Sequence, residues 1–234
     1  EKMGKSQKGK LDKERPPSVM VIGRDLLTVG VLLGLVVGLF HFAGLLDAPT
    51  PYELRDIPSY RFYYVPRRGD FSQIPDAMEM VADYVRAHVA VPEGDNRLVT
   101  HRGVGVYFDD PATVGQENTR WVIGFAVPPE WTLDTERTDP DVRSLVVPEG
   151  EAMETTLPWR HMLSPMIGAW WVWKDFMKDM ANSDLHLPGV AVEMYEVDEN
   201  DGYQLLRYLV YQDPDTRDVL DEGNFRFPPP VVTA

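Results

Sequence analysis

Apolar residues fall along this chain in three rhythms: one unbroken run, two helical stripes and a series of short alternating segments. The run is residues 26–46, LLTVGVLLGLVVGLFHFAGLL, 21 residues without a charged side chain, with Thr28 and His41 as the plainly polar positions. At about 1.5 Å of rise per residue it reaches about 30 Å, the thickness of a bilayer's hydrocarbon core. Backbone polar groups in lipid must pair within the segment, so the pattern predicts one transmembrane α-helix. Gly30, Gly34 and Gly38 recur every four residues and share a stripe with Gly23 and His41. Small residues at that spacing let a second helix approach closely, and a polar side chain on the stripe can bond across the contact. Gly30, Gly34, Gly38 and His41 are therefore the expected partner interface of this helix.

Helical stripes occur at Ile74, Met78, Val81, Val85 and Val89, and again at Met166, Trp170, Trp173, Met177 and Met180. They predict helices from about Ser72 to near Pro92 and from Pro165 to Ala181. Strands are predicted over residues 60–65, 103–108, 121–127, 151–157, 190–197 and 203–211, bounded by Gly, Pro and Asp clusters. Each half then reads strand, helix, strand, strand. A shift of 88 lays Gly103–Asp110 over Ala191–Asp198, pairing Val104 with Val192, Tyr107 with Tyr195 and Asp110 with Asp198. The expected fold is α+β: a duplicated β-α-β-β domain behind an N-terminal transmembrane helix. Its sheet is expected to be largely antiparallel, with helices on one face and the other face left for a ligand or partner. Val190, Val192 and Met194 fall on the expected core face, and Ala191, Glu193 and Tyr195 on the other. The chain divides into a basic arm (1–25), the span (26–46), a Pro-containing linker (47–59), the domain (60–212) and an acidic then Pro-rich tail (213–234).

Charge changes this picture by dividing it. The net charge is −14 over 234 residues, but the stretch before Leu26 carries +3 and the remainder −17. So acidic a domain disfavours nucleic acid and favours basic protein partners. The lysine-rich arm places the N-terminus on the matrix or cytosolic side and the domain on the opposite side. The chain starts at Glu1 rather than Met and contains no Asn-x-Ser/Thr sequon. Both features favour an organelle, the mitochondrial inner membrane over the endoplasmic reticulum, with removal of a presequence as one reading of the start. Zero cysteines exclude a disulfide scaffold, a thiol nucleophile and thiolate metal sites.

Residues 60–85 (YRFYYVPRRGDFSQIPDAMEMVADYV), 103–111 (GVGVYFDDP) and 190–197 (VAVEMYEV) resemble the GyrI-like effector-binding domain family, over roughly residues 60–212. The resemblance implies two β-α-β-β halves about a pseudo-twofold axis. In drug-sensing members a strand glutamate of the second half meets cationic aromatic ligands, and Glu193 matches that position, with Tyr195 and Tyr107 beside it. The layout is also similar to the family's membrane-bound branch, which includes an ER-phagy receptor; Phe225-Arg226-Phe227 followed by three prolines departs from that receptor's adaptor motif. Other relatives are hydrolases, in which Glu193 and a tyrosine would act as acid and base.

Catalytic motifs are absent: no G-x-S-x-G, P-loop, dinucleotide fingerprint or histidine metal spacing occurs. Asp109-Asp110 and Asp139-Pro140-Asp141 sit where acids serve as caps and turn formers. No cofactor and no metal are expected. Ile167 and Trp171 fall off the second helix's core stripe and form a candidate partner surface. The leading expectation is a non-catalytic accessory subunit of a membrane complex, with the bilayer and other subunits as partners. A sensor for cationic aromatics is the alternative.

Overall fold

The computed structural model describes residues 19–42, 47–91, 102–133, 141–159, 164–181, 190–198 and 203–230. They belong to two compact units, Glu1–Phe42 and Ala43–Ala234.

In the first unit, helix α1 spans Val19–Phe42. Its side chains are described over residues 27–42 and every one is exposed, His41 included. A Cβ placed on Gly30, Gly34 or Gly38 would meet nothing within 4 Å. Among the described residues no helix is long and apolar enough to cross a membrane. The last four residues of the predicted span, 43–46, lie outside the described residues.

The second unit is built on eight strands: β1 Glu53–Ile57, β2 Tyr60–Arg68, β3 Arg102–Tyr107, β4 Arg120–Val127, β5 Arg143–Val147, β6 Gly150–Trp159, β7 Ala191–Asp198 and β8 Tyr203–Tyr211. They form one curled sheet in the order β1-β6-β8-β7-β3-β4-β2-β5, antiparallel at every junction. Helices α2 (Ile74–His88), α3 (Pro111–Val114), α4 (Ser164–Ala181) and α5 (Pro214–Val219) complete the unit. The β2–α2 junction shows how local sequence sets an element. Gly69 adopts φ 135°, a backbone conformation that side chains resist, and turns the chain out of β2. Asp70 then accepts the Ser72 N–H at 2.6 Å, and Pro75 occupies the first turn of α2, where its missing donor costs nothing.

The order is palindromic about its centre: β6-β8-β7 on one side and β3-β4-β2 on the other. Gly105 stands directly opposite Glu193 in the β3–β7 register. The shift of 88 seen in the sequence exchanges these two residues and carries the Gly103–Tyr195 pair onto Tyr107–Ala191. The repeat and the local twofold of the sheet are thus the same relation. Two strands that the sequence pattern did not predict belong to the same relation: β1, within the expected linker, pairs with β6, β5 pairs with β2, and a shift of about 90 exchanges the Glu53–Glu154 and Tyr64–Arg143 pairs.

Both faces of the sheet are buried, which corrects the expectation of one open face. On one face Tyr63, Val65, Trp121, Ile123, Leu206 and Tyr208 pack with Val81 and Val85 of α2 and Val172 of α4. On the other, Phe62, Tyr64, Val104, Val192 and Met194 are covered by Leu220 and Phe225 from the segment after β8. That segment falls in the expected tail. Asp213 caps α5 by accepting the Thr216 N–H at 2.9 Å, and Phe225 meets the Tyr64 ring edge-on at 5.2 Å. Glu193 therefore lies on the helix-covered face and not on a free one. Alternation along a strand separates two faces but does not say which of them the helices take.

On α4 the expected stripe residues Met166, Trp170, Met177 and Met180, and the interface candidate Ile167, lie outside the described side chains. Val172, which the stripe omitted, is fully buried, while Trp171 is 38% exposed.

Candidate functional site

The centre of the helix-covered face is where β3 and β7 meet. Strand period brings Glu193 and Tyr195 to this face from β7, and Gly103, Gly105 and Tyr107 from β3. The Gly-x-Gly spacing in β3 has a local physical reason. A Cβ on Gly105 would stand 2.8 Å from the Tyr107 hydroxyl and 2.9 Å from its ring. One on Gly103 would stand 2.8 Å from Met78 Cε and 3.2 Å from the Tyr195 ring. Both glycines clear space for aromatic rings that fold back over the strand. Gly168 does the same from α4, since a side chain there would run into the Tyr208 hydroxyl.

Into that space projects one carboxylate. Glu193 is 4% exposed. The Trp173 Nε1–H donates to its Oε1 at 2.8 Å and the Tyr195 hydroxyl donates to its Oε2 at 2.7 Å. The Tyr107 and Tyr195 hydroxyls are 2.7 Å apart. A phenol has a single O–H, so with Tyr195 donating to Glu193, Tyr107 donates to Tyr195. Rings enclose this chain of bonds: Trp159 against Tyr195 at 5.8 Å, Trp173 against Tyr208 at 5.7 Å and Phe71 against Tyr107 at 5.3 Å. The Tyr208 hydroxyl is buried and has no hydrogen-bond partner among the described residues.

Burial dominates the electrostatics. It pushes Glu193 up to about 7, against the opposing pull of the Trp173 and Tyr195 hydrogen bonds. Tyr107 and Tyr195 are held well above the usual phenol range, first by burial and then by the Glu193 charge. Tyr208 is raised for the same reasons in the same order. A carboxyl titrating near neutrality among aromatic faces can hold a cation when ionised, through charge pairing and cation–π contact. When protonated it rests as a neutral hydrogen-bonded acid.

The sequence-predicted residues thus fall into two groups. Glu193, Tyr195 and Tyr107 converge at one centre, whereas Gly30, Gly34, Gly38 and His41 belong to the other unit and Trp171 faces outward from α4. Trp173, Trp159 and Tyr208 were not anticipated as parts of the site. The helical stripe assigned Trp173 to the core, and no local signal marks its indole N–H as a partner for a carboxylate about 20 residues on. Of the acids expected as caps and turn formers, Asp110 caps α3 by accepting the Ala112 N–H at 2.9 Å. Asp109 instead forms an ion pair with Arg120, accepting from its N at 2.8 Å and Nε at 2.7 Å, and Asp139 lies outside the described residues. Among the described residues no group of three or more His, Asp or Glu side chains is placed to hold a metal ion.

No protein-family profile and no curated protein matches the chain. Among solved structures it is similar to the EcmrR C-terminal domain, with TM-score 0.46 and 11% identity over 71% of this chain and 97% of that one. It is also similar to a hydrolase from Listeria innocua, with TM-score 0.39 and 14% identity over 68% and 91%. An integron cassette protein from Vibrio cholerae gives TM-score 0.40 and 9% identity over 71% and 99%. The strand order and the two helices on one face are those expected of two β-α-β-β halves. The fold is compatible with a GyrI-like domain. Likenesses this distant say nothing of ligand or reaction.

Proposed function

We propose that the chain is a membrane-anchored, non-catalytic binding subunit whose GyrI-like domain receives a small cationic aromatic molecule at Glu193. The observation that carries this reading is the buried Glu193 carboxylate, whose hydrogen-bond partners, Trp173 and Tyr195, are both neutral donors set in an aromatic cage. A ligand cation replaces the proton that Glu193 holds near neutrality, and its ring takes the place beside Glu193 and Tyr208 that the Trp173 indole fills. Binding therefore releases a proton below about pH 7 and tightens as pH rises from 5 to 8. The test is calorimetric titration of a quaternary aromatic cation such as tetraphenylphosphonium into the detergent-solubilised chain, in two buffers of different ionisation enthalpy. Proton release with the wild type and loss of binding in Glu193→Gln is the expected result. Equal binding by both proteins removes Glu193 as the reader.

The anchor rests on the uncharged run at 26–46 and on the exposure of the apolar side chains over residues 27–42 of α1. The glycine stripe, open on its outer side, favours association with another membrane helix. Migration as a free 27 kDa species in mild detergent would remove the multi-subunit reading. Protease protection of the domain in intact organelles tests the expected topology.

A further inference from the structure

Among the described residues of the acidic domain, a basic pocket lies away from Glu193. At the β2–β5 edge, β5 pairs with β2 only over Tyr60–Tyr64, so Pro66 and Arg67 extend past the end of the neighbouring strand. The segment after α5 crosses here, and together they form an open cleft of about 260 Å³ lined by Pro66, Arg67, Asp141, Arg143, Arg226 and Phe227. Two of the three guanidinium groups are positioned by neutral acceptors. Arg67 donates to the Pro66 carbonyl at 3.3 Å and lies 3.5 Å from Met80 Sδ, and Arg143 donates to the Arg226 carbonyl at 3.2 Å. None of the three forms an ion pair among the described residues. The nearby Arg120, by contrast, is held by Asp109 and Glu222, both at 2.7 Å.

Three guanidinium groups against the single carboxylate of Asp141 leave the pocket with a net positive charge, in a domain with twice as many acids as bases, and an anion among them offsets their mutual repulsion. Each guanidinium carries five N–H donors in a planar fork, so donors remain free on all three; the fork matches the paired oxygens of a phosphate. Phe227 and Pro66 supply an apolar wall on which a flat group can rest. We infer that this pocket binds a small phosphate monoester bearing a ring, with Arg67, Arg143 and Arg226 on the phosphate and Phe227 against the ring.

The cavity volume suits a compact ligand and is below the range for drug-sized molecules. Two sources share this chemistry, a soluble aryl phosphate and the headgroup of a phosphatidate. The experiment titrates the detergent-solubilised full chain with phenyl phosphate, inorganic phosphate, phenol and the water-soluble dihexanoyl phosphatidate. Saturable binding of phenyl phosphate, weaker binding of inorganic phosphate and no binding of phenol are expected. Arg67→Gln and Arg143→Gln should each weaken phenyl phosphate at least about tenfold, the scale of a lost charge-assisted hydrogen bond. Arg86→Gln, which removes the partner of Asp83 on α2, should change nothing. Tighter binding of the phosphatidate than of phenyl phosphate, lost in the same variants, would support the site and assign its source to a lipid. No saturable binding of any phosphate by the wild type, or equal binding by the Arg67→Gln/Arg143→Gln/Arg226→Gln triple variant, overturns the inference. Near-ultraviolet circular dichroism of that variant, identical to wild type, shows that a loss is not unfolding.

Discussion

The two halves of the domain share a plan and differ in what they place at its centre. β3 and β7 are equivalent strands, yet Gly105 of the first half faces Glu193 of the second across the local twofold. The next strands continue the contrast: Ile123 of β4 lies opposite Gly105, and Tyr208 of β8 lies opposite Glu193. The first half contributes space, apolar wall and the outer Tyr107 hydroxyl, and the second contributes the carboxylate and the phenols of Tyr195 and Tyr208. A symmetric pair of carboxylates here would bring two buried charges together, which the low local dielectric penalises heavily. One carboxylate opposite a glycine is the arrangement that gives a single charged group room and donors. The duplication supplies the frame, and the departure from it makes the site.

Substitutions that force the halves to resemble each other should break this most. Gly124 and Leu209 are equivalents, since they face Val104 and Val192. A Cβ at Gly124 would collide with the Tyr63 carbonyl on the neighbouring strand. Gly124→Leu is expected to cost more than about 4 kcal/mol, the range of severe core disruptions, and to abolish cooperative thermal unfolding.

The next effect is a pH dependence. Glu193 has a raised folded value, so its contribution to stability is complete below the ordinary carboxylate range near 4.5 and is lost as pH rises to about 7. The span corresponds to about 3 kcal/mol. Urea unfolding at pH 5 and pH 8, compared between wild type and Glu193→Gln, isolates this term from other carboxylates. The glutamine variant should gain on the wild type at pH 8. A difference independent of pH would show that Glu193 is already ionised in the fold at pH 5.

Tyr195 and Tyr107 are equivalents with unequal tasks. Tyr195→Phe removes the bond to Glu193 and leaves Tyr107 without its acceptor, so a loss of about 2 kcal/mol is expected. Tyr107→Phe leaves the Tyr195–Glu193 bond in place and should cost about 1 kcal/mol by the same measurement. Equal losses would mean that the two hydroxyls share the carboxylate.

Much of this architecture was legible in the chain. Helical stripes located α2 and α4, and runs of β-branched and aromatic residues between Gly, Pro and Asp clusters located six of the eight strands. The shift of 88, read from Val104, Tyr107 and their partners, is the relation that the β3–β7 register obeys. β1 and β5 were missed. ELRDI and RSLVV are short edge segments whose exposed and charged positions blur the alternation. The site was legible only in part: strand period grouped Glu193 with Tyr195, and the repeat added Tyr107.

Sequence alone determined the uncharged run at 26–46, the twofold plan of the domain and the side of the strand on which Glu193 lies, because each follows from local periodicity. Only the tertiary structure decided that α2 and α4 cover that side, that residues 214–228 seal the other, and that the Trp173 indole reaches the carboxylate. Those outcomes depend on which buried surfaces meet across long stretches of chain, and no local pattern encodes that choice.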